Sequence, residues 1–320
     1  MKPLLQLLSP GGRRARLSVL IFHRVLPKPD PLFPDEMHAE RFDSMLGWVK
    51  SWFQVLPLDQ AARQLAAGEL PARAAALSFD DGYADNATVA LPLLRKHGLA
   101  CSFFVATDFL NGGRMWNDSL IEAVRLTPLP LLDLRGLRGE SGQDLGQLPV
   151  RTVEEKRSAI PALLAALKYL HPETRQQRVN EVAARAETQL PNDLMMNTQQ
   201  LRALREQGMQ LGGHTCSHPI LASLNATEAA DEIGRGKAEL ERLVGERVGL
   251  FAYPNGKPGD DYLPGRDPGL VRELGFEAAV STQWGAARQG SDLFQLPRFT
   301  PWDATRLRFG LRLAHNIASR

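Results

Sequence analysis

The chain has 320 residues, 43% of them hydrophobic, which is enough to bury a large core and argues against a disordered segment. Lysine and arginine number 38 against 36 acidic residues, so the formal net charge of +2 gives no global reason to expect nucleic acid as a partner. No apolar run approaches the length of a membrane span, and two cysteines, Cys101 and Cys216, are too few for a disulfide framework.

The first segment, MKPLLQLLSPGGRR, has a short apolar run followed by arginines where a signal peptide would carry a small-residue cleavage site. The expected location is therefore cytoplasmic, with loose membrane contact through Leu4, Leu5, Leu7 and Leu8. Strands are predicted at 17–22, 54–56, 75–79 and 100–105, and the helical stretch ATVALPLLRKHG, after Asn86 as cap and ending on Gly98, joins the last two. From about 111 to 196 this rhythm breaks. A leucine- and glycine-rich stretch at 129–150 and amphipathic helices at roughly 152–170 and 172–189 read as an insertion over a barrel mouth. Further strands follow at 209–212, 248–252, 277–281 and 294–297. Between them lie a helix capped by Asn197 or Thr198 and stopped by Gly208, and a long helix from Thr227 to Val244. This alternation predicts an α/β domain with a mainly parallel sheet, and about eight strands predict a closed or nearly closed barrel.

Chemistry concentrates in two strand ends. LSFDDGYADN, at 77–86, ends an apolar strand on Asp80 and Asp81 and then turns at Gly82. Catalytic groups of parallel α/β folds gather at the carboxyl ends of strands. Adjacent carboxylates repel, and one takes up a proton unless a cation is shared between them. The pair therefore asks for a metal, the alternative being a solvated turn in which one aspartate caps a helix. GGHTCSHPIL, at 212–221, supplies His214 and His218, which stand close together among seven histidines. Two imidazoles and a carboxylate make a three-ligand set with positions left open for water and substrate, as in catalytic zinc sites. Cys216, between the histidines, is read as a small buried filler.

The order SFDDG, HTCSH and FAYPNG resembles the polysaccharide deacetylase family, the NodB-like carbohydrate esterases of family four. The hallmark of that family is an FDDG strand end followed by a His-[Ser/Thr]-x-x-His segment. The resemblance implies a distorted (β/α) barrel of seven or eight strands in one catalytic domain, 1–320. It implies Asp80 as general base and Asp81, His214 and His218 as ligands of a divalent metal, Zn2+ ahead of Co2+, Ni2+, Mn2+ or Fe2+. The third family motif carries an arginine where this chain has Ala252, two residues before Pro254, the groove-wall proline. Arg298, in LFQLPRFTP, is the candidate replacement, since an arginine holds a carboxylate through two parallel hydrogen bonds. A surface charge after a strand is the other reading. The resemblance also implies that the backbone N–H of Asn255 helps hold the oxyanion.

The family's late histidine has no match near the C-terminus, where His315 falls in a helical pattern. LIFHRV instead places His23 at the end of the first strand, as in the circularly permuted branch of biofilm deacetylases, and implies His23 as general acid. The expected activity is removal of N-acetyl groups from an N-acetylated hexosamine in a polysaccharide or its precursor, with Tyr83 and Trp116 as sugar platform. The alternatives are an O-acetyl esterase, another C–N amide hydrolase on the same fold, or a non-catalytic carbohydrate-binding protein. Presence of all three ligands and the base argues against the last.

Overall fold

The computed structural model describes residues 1–319, in two compact units. The first comprises Met1–Lys28, Met37–Leu110 and 195–319, and the second Pro29–Glu36 with Asn111–Leu194. No helix among the described residues is long and apolar enough to cross a membrane.

Seven parallel strands organise the first unit: β1 (Arg16–Phe22), β2 (Ala74–Phe79), β3 (Ser102–Val105), β4 (Gln210–Gly213), β5 (Leu250–Ala252), β6 (Ala278–Val280) and β7 (Arg298–Phe299). Each of the first five pairs with the next. β7 lies on the other side of β1, with Val19 opposite Arg298 and Leu20 opposite Phe299. Just before β7, Leu296 bridges Val280 of β6 and donates its N–H to Ala279 O at 2.9 Å. Residues 296–299 thus hand the sheet from β6 to β1 and close the ring.

The sequence reading puts this last strand at 294–297. There, however, the N–H groups of Phe294 and Gln295 are both taken by Asp292 in a turn, and Pro297 has no N–H to give. The ladder with β1 therefore begins only at Arg298.

Both faces of the barrel strands are covered, which is why they read as near-continuous apolar runs. Leu17, Val19, Ala74, Ala76, Phe104, Leu250, Ala252, Val280 and Leu296 form the interior cluster. The alternate residues Leu20, Phe22, Leu77, Phe79 and Phe103 pack under the helices. Phe79 sits against Phe22, Phe42 and Phe103 at centroid distances of 5.2, 5.6 and 5.1 Å. This aromatic stack anchors β1 and β2 one residue before His23 and Asp80.

Capping boxes, Asn197 with Gln200 and Asn225 with Glu228, start the helices Thr198–Glu206 and Ala226–Val244. Asn86 does not act as the expected cap. It is fully buried, its amide donates to His23 O at 2.9 Å, and a π turn over Asn86–Ala90 leads into the helix Leu91–His97. In the first helix, Lys2–Leu8, Leu5 is fully buried and Leu7 is 78% exposed, so Leu5 cannot take part in the expected surface contact.

The second unit has its own apolar core, including Leu120, Val124, Leu132, Ile160, Leu163 and Val182. The helices Trp116–Leu126, Val153–Leu167 and Pro172–Arg185 contribute to it. An antiparallel pair, Leu131–Asp133 with Gln147–Pro149, occupies the stretch whose composition shows only leucine and glycine.

Candidate active site

The carboxyl ends of β1, β2, β4 and β5 bring the chemistry-bearing residues to one rim of the barrel. Asp80 donates its N–H to Phe22 O at 3.0 Å, and Gly82 donates to Asp80 O at 3.0 Å, so the chain folds back immediately after the two aspartates. Among the described residues, seven that are not glycine have positive φ, and four lie on this rim: Asp81 (77°), Thr215 (63°), His218 (54°) and Asn255 (57°). Such left-handed backbone costs on the order of 1–3 kcal/mol at a non-glycine residue, so its concentration here marks a site held in shape by its surroundings.

Asp81, His214 and His218 place one ligand atom each within 4.8 Å of the others. Asp81 Oδ1 is 3.4 Å from Nε2 of His214 and 3.4 Å from Nε2 of His218. That spacing is the edge of a tetrahedron whose centre lies about 2.1 Å from each atom, the usual zinc–ligand distance. His214 Nδ1 donates to Ala252 O at 2.7 Å, which orients the ring with Nε2 toward Asp81. Burial pushes His218 down to about 4 against the pull of Asp81, so its imidazole is neutral near pH 7. Burial also works to raise Asp81, but His214, His218 and His23 outweigh it and hold the carboxyl far below the usual range. The donor set fits a divalent ion.

Asp80, 3% exposed, faces a different partner. The guanidinium of Arg298, 1% exposed, grips it with two parallel bonds of 2.7 Å each. Arg298 Nε donates to Ser281 O at 2.9 Å, and Nη1 also donates to Ser78 Oγ at 3.3 Å. Burial alone would raise the Asp80 pKa, yet Arg298 outweighs it and keeps the carboxylate ionised. His23, the first residue beyond β1, is solvent-exposed, and its charge acts on Asp80, Asp81 and His218. At the end of β5, Pro254 is buried and Asn255 exposed, with Asn255 O accepting from Thr282 Oγ1 at 2.9 Å.

The sequence profile described as polysaccharide deacetylase matches residues 67–125 and 176–277, just over half of the chain. The chain belongs to the polysaccharide deacetylase family. It is 18% identical over 286 residues to YxkH of Bacillus subtilis strain 168, whose name carries the words polysaccharide deacetylase, with 89% of this chain and 71% of YxkH covered. Among solved structures it resembles IcaB from Ammonifex degensii, with a TM-score of 0.60, 18% identity, and 97% of this chain and 99% of IcaB covered. The Streptococcus pyogenes deacetylase PplD in complex with acetate gives 0.57 and 17% over 89% and 92% of the two chains. A de-N-acetylase from Aggregatibacter actinomycetemcomitans gives 0.53 and 17% over 89% and 94%. At these identities the likeness establishes the barrel fold.

Within this polysaccharide deacetylase frame, the remaining residues named from the sequence have the following surroundings. Tyr83 is 4% exposed and its ring is covered by Arg24, whose guanidinium carbon lies 4.6 Å from the centroid, so it packs and presents no open sugar platform. Trp116 belongs to the second unit, where Arg175 lies 4.9 Å from its ring centroid. His315 is exposed on the helix Arg306–Ala318, with its ring 6.3 Å from that of Trp284. Cys101 and Cys216 are buried free thiols.

Two residues of the long helix support the histidine loop without any signal in their own sequence context. Glu232 accepts from the N–H groups of Cys216 and Ser217 at 3.1 and 3.0 Å. Gly236 lets the helix lie against that loop, because a Cβ there would meet the backbone C and O of Thr215 at 2.7 Å. Gly236→Ala is therefore expected to lower stability by about 1–3 kcal/mol through overpacking and to weaken metal affinity by displacing His214 and His218. Denaturant unfolding and a metal titration check the two effects, and an unchanged affinity would show that the loop does not need this close approach.

Proposed function

We propose that the protein hydrolyses the acetamide of an N-acetylated hexosamine, in a polysaccharide or its precursor, with a divalent ion, Zn2+ first, on Asp81, His214 and His218. One observation carries the reading: a three-ligand cluster shares its rim with a second carboxylate, Asp80, which Arg298 keeps ionised and outside the ligand set. Family membership and the likeness to a de-N-acetylase support it.

A bound ion lowers the pKa of water and polarises a carbonyl. The chain's own groups do the rest. Asp80 accepts a proton from the attacking water, since each of its oxygens keeps a lone pair beyond the bond from Arg298. The N–H of Asn255 donates to the carbonyl oxygen as negative charge builds there. His23, protonated, delivers a proton to the nitrogen, because an amine anion does not leave at neutral pH. Acetate and a free amino sugar result.

Acetate release from N-acetylglucosamine, an N-acetylated chitooligosaccharide and acetylated xylan tests the reading, with Asp80→Asn and His214→Ala as controls. Release from an N-acetylated substrate by the wild type alone is the expected result. Release only from xylan would move the activity to O-acetyl esters, and identical behaviour of all three proteins with no metal bound would overturn the proposal.

A further inference from the structure

We propose that Asp85 and Asn86 are positioning residues that fix the backbone carrying His23 to the segment carrying the two aspartates; the proposal rests on the reading of His23 as the proton donor. Among the described residues the His23 imidazole has no hydrogen-bond partner, so its place is set by the backbone that carries it. That backbone is held from one side by a single pair. Asn86 Nδ2 donates to His23 O at 2.9 Å. Asp85 Oδ1 accepts from Val25 N–H at 3.1 Å and Oδ2 from Arg24 Nε at 2.8 Å. Within the pair, Asn86 Nδ2 also donates to Asp85 Oδ1 at 3.2 Å. Three successive residues, 23 to 25, are thereby tied to the chain segment that begins with Asp80 and Asp81.

A purely architectural contact would not need this chemistry. Asp85 is 7% and Asn86 0% exposed; burying a carboxylate and an amide is unfavourable unless their bonds are made, as they are for both Asp85 oxygens and Asn86 Nδ2, while Asn86 Oδ1 has no partner among the described residues. Burial does raise Asp85 against the pull of Arg24, which shows how much desolvation the position tolerates. The side-chain bonds of both residues converge on the segment from His23 to Val25, and Arg24 is in turn seated over Tyr83. Asp85 and Asn86 thus act as a clamp that ties the backbone carrying the donor to the segment carrying the base. Proton transfer falls off steeply with such misplacement, since an acid must come within hydrogen-bond reach of the leaving atom.

The test separates proton donation from the other steps by changing the leaving group. An amide needs its nitrogen protonated, whereas 4-nitrophenyl acetate expels a stable phenolate without help. In the zinc-loaded full chain, His23→Ala and Asn86→Ala should each lose about 10²-fold or more in kcat on N-acetylated chitotetraose while ester hydrolysis stays within about threefold. Asp80→Asn should lose both. A wild-type amide-to-ester ratio in Asn86→Ala, alongside a collapsed ratio in His23→Ala, overturns the clamp and spares the acid. An unchanged ratio in His23→Ala overturns the acid and the clamp with it. Should Asn86→Ala fail to fold, Asp85→Asn, which keeps shape and removes the charge facing Arg24, takes its place, and an unchanged ratio there is equally decisive against the proposal.

Discussion

Asp80→Asn is expected to lower kcat by about 10²–10⁴-fold, the usual contribution of a general base. It is also expected to destabilise the fold by on the order of 3–5 kcal/mol, because it leaves a buried guanidinium without its counter-charge. Both effects follow from one geometry. Asp80 and Arg298 are 3% and 1% exposed, and their two bonds of 2.7 Å pair the charges where little bulk solvent screens them. An asparagine keeps one acceptor and loses the charge, so the stability loss belongs at the lower end of the range. Bound metal should stay at the wild-type level, since Asp80 stands outside the ligand set.

The double variant Asp80→Asn with Arg298→Met separates the two consequences. Removing both charges from a buried pair is often neutral or stabilising, so the unfolding free energy should recover while activity does not. Full activity in Asp80→Asn would place the base elsewhere. An unchanged unfolding midpoint would mean that the pair contributes nothing net.

How far the site was legible depends on whether each residue's role is local. Asp80, Asp81, His214 and His218 can be found because strand ends, glycines and spacing are local features of the chain. Arg298 is visible only as an arginine in a strand-like run. Whether it reaches Asp80 depends on ring closure through Leu296, a pairing between distant segments that no periodicity encodes. Its counterpart is Ala252, an interior position of β5 where a small side chain fills the family's arginine position. Asn86 misleads for the same reason: its residue type suits a helix cap, and a tertiary bond to His23 O takes its amide instead. Tyr83 and Trp116 stand near motifs in sequence, which says nothing of which ring faces are covered. Glu232 and Gly236 look like ordinary helix positions until the helix is laid against the histidine loop.

His214→Ala should abolish metal binding, taking the content from about one ion per chain to near zero, because two remaining ligands fall short of the three that catalytic sites use. Elemental analysis of the purified protein reads this directly, and thermal unfolding reads it independently of activity. Zn2+ added at 100 times its dissociation constant stabilises the folded state by about 2.7 kcal/mol, so chelator-stripped wild type should gain a higher Tm on zinc addition. His214→Ala should gain none. The gain follows because the three ligand atoms are brought together only in the folded chain, so the ion binds the folded state in preference to the unfolded one. Cys216→Ser gives the contrasting result. Its thiol is pushed up to about 11 by burial and by the nearby carboxylates of Glu232 and Asp108, so it stays protonated and supplies no thiolate. That variant should keep its ion and its zinc-dependent Tm. If His214→Ala instead retains both while Cys216→Ser loses them, the cation is held by the cysteine side of the loop and the three-ligand assignment is wrong.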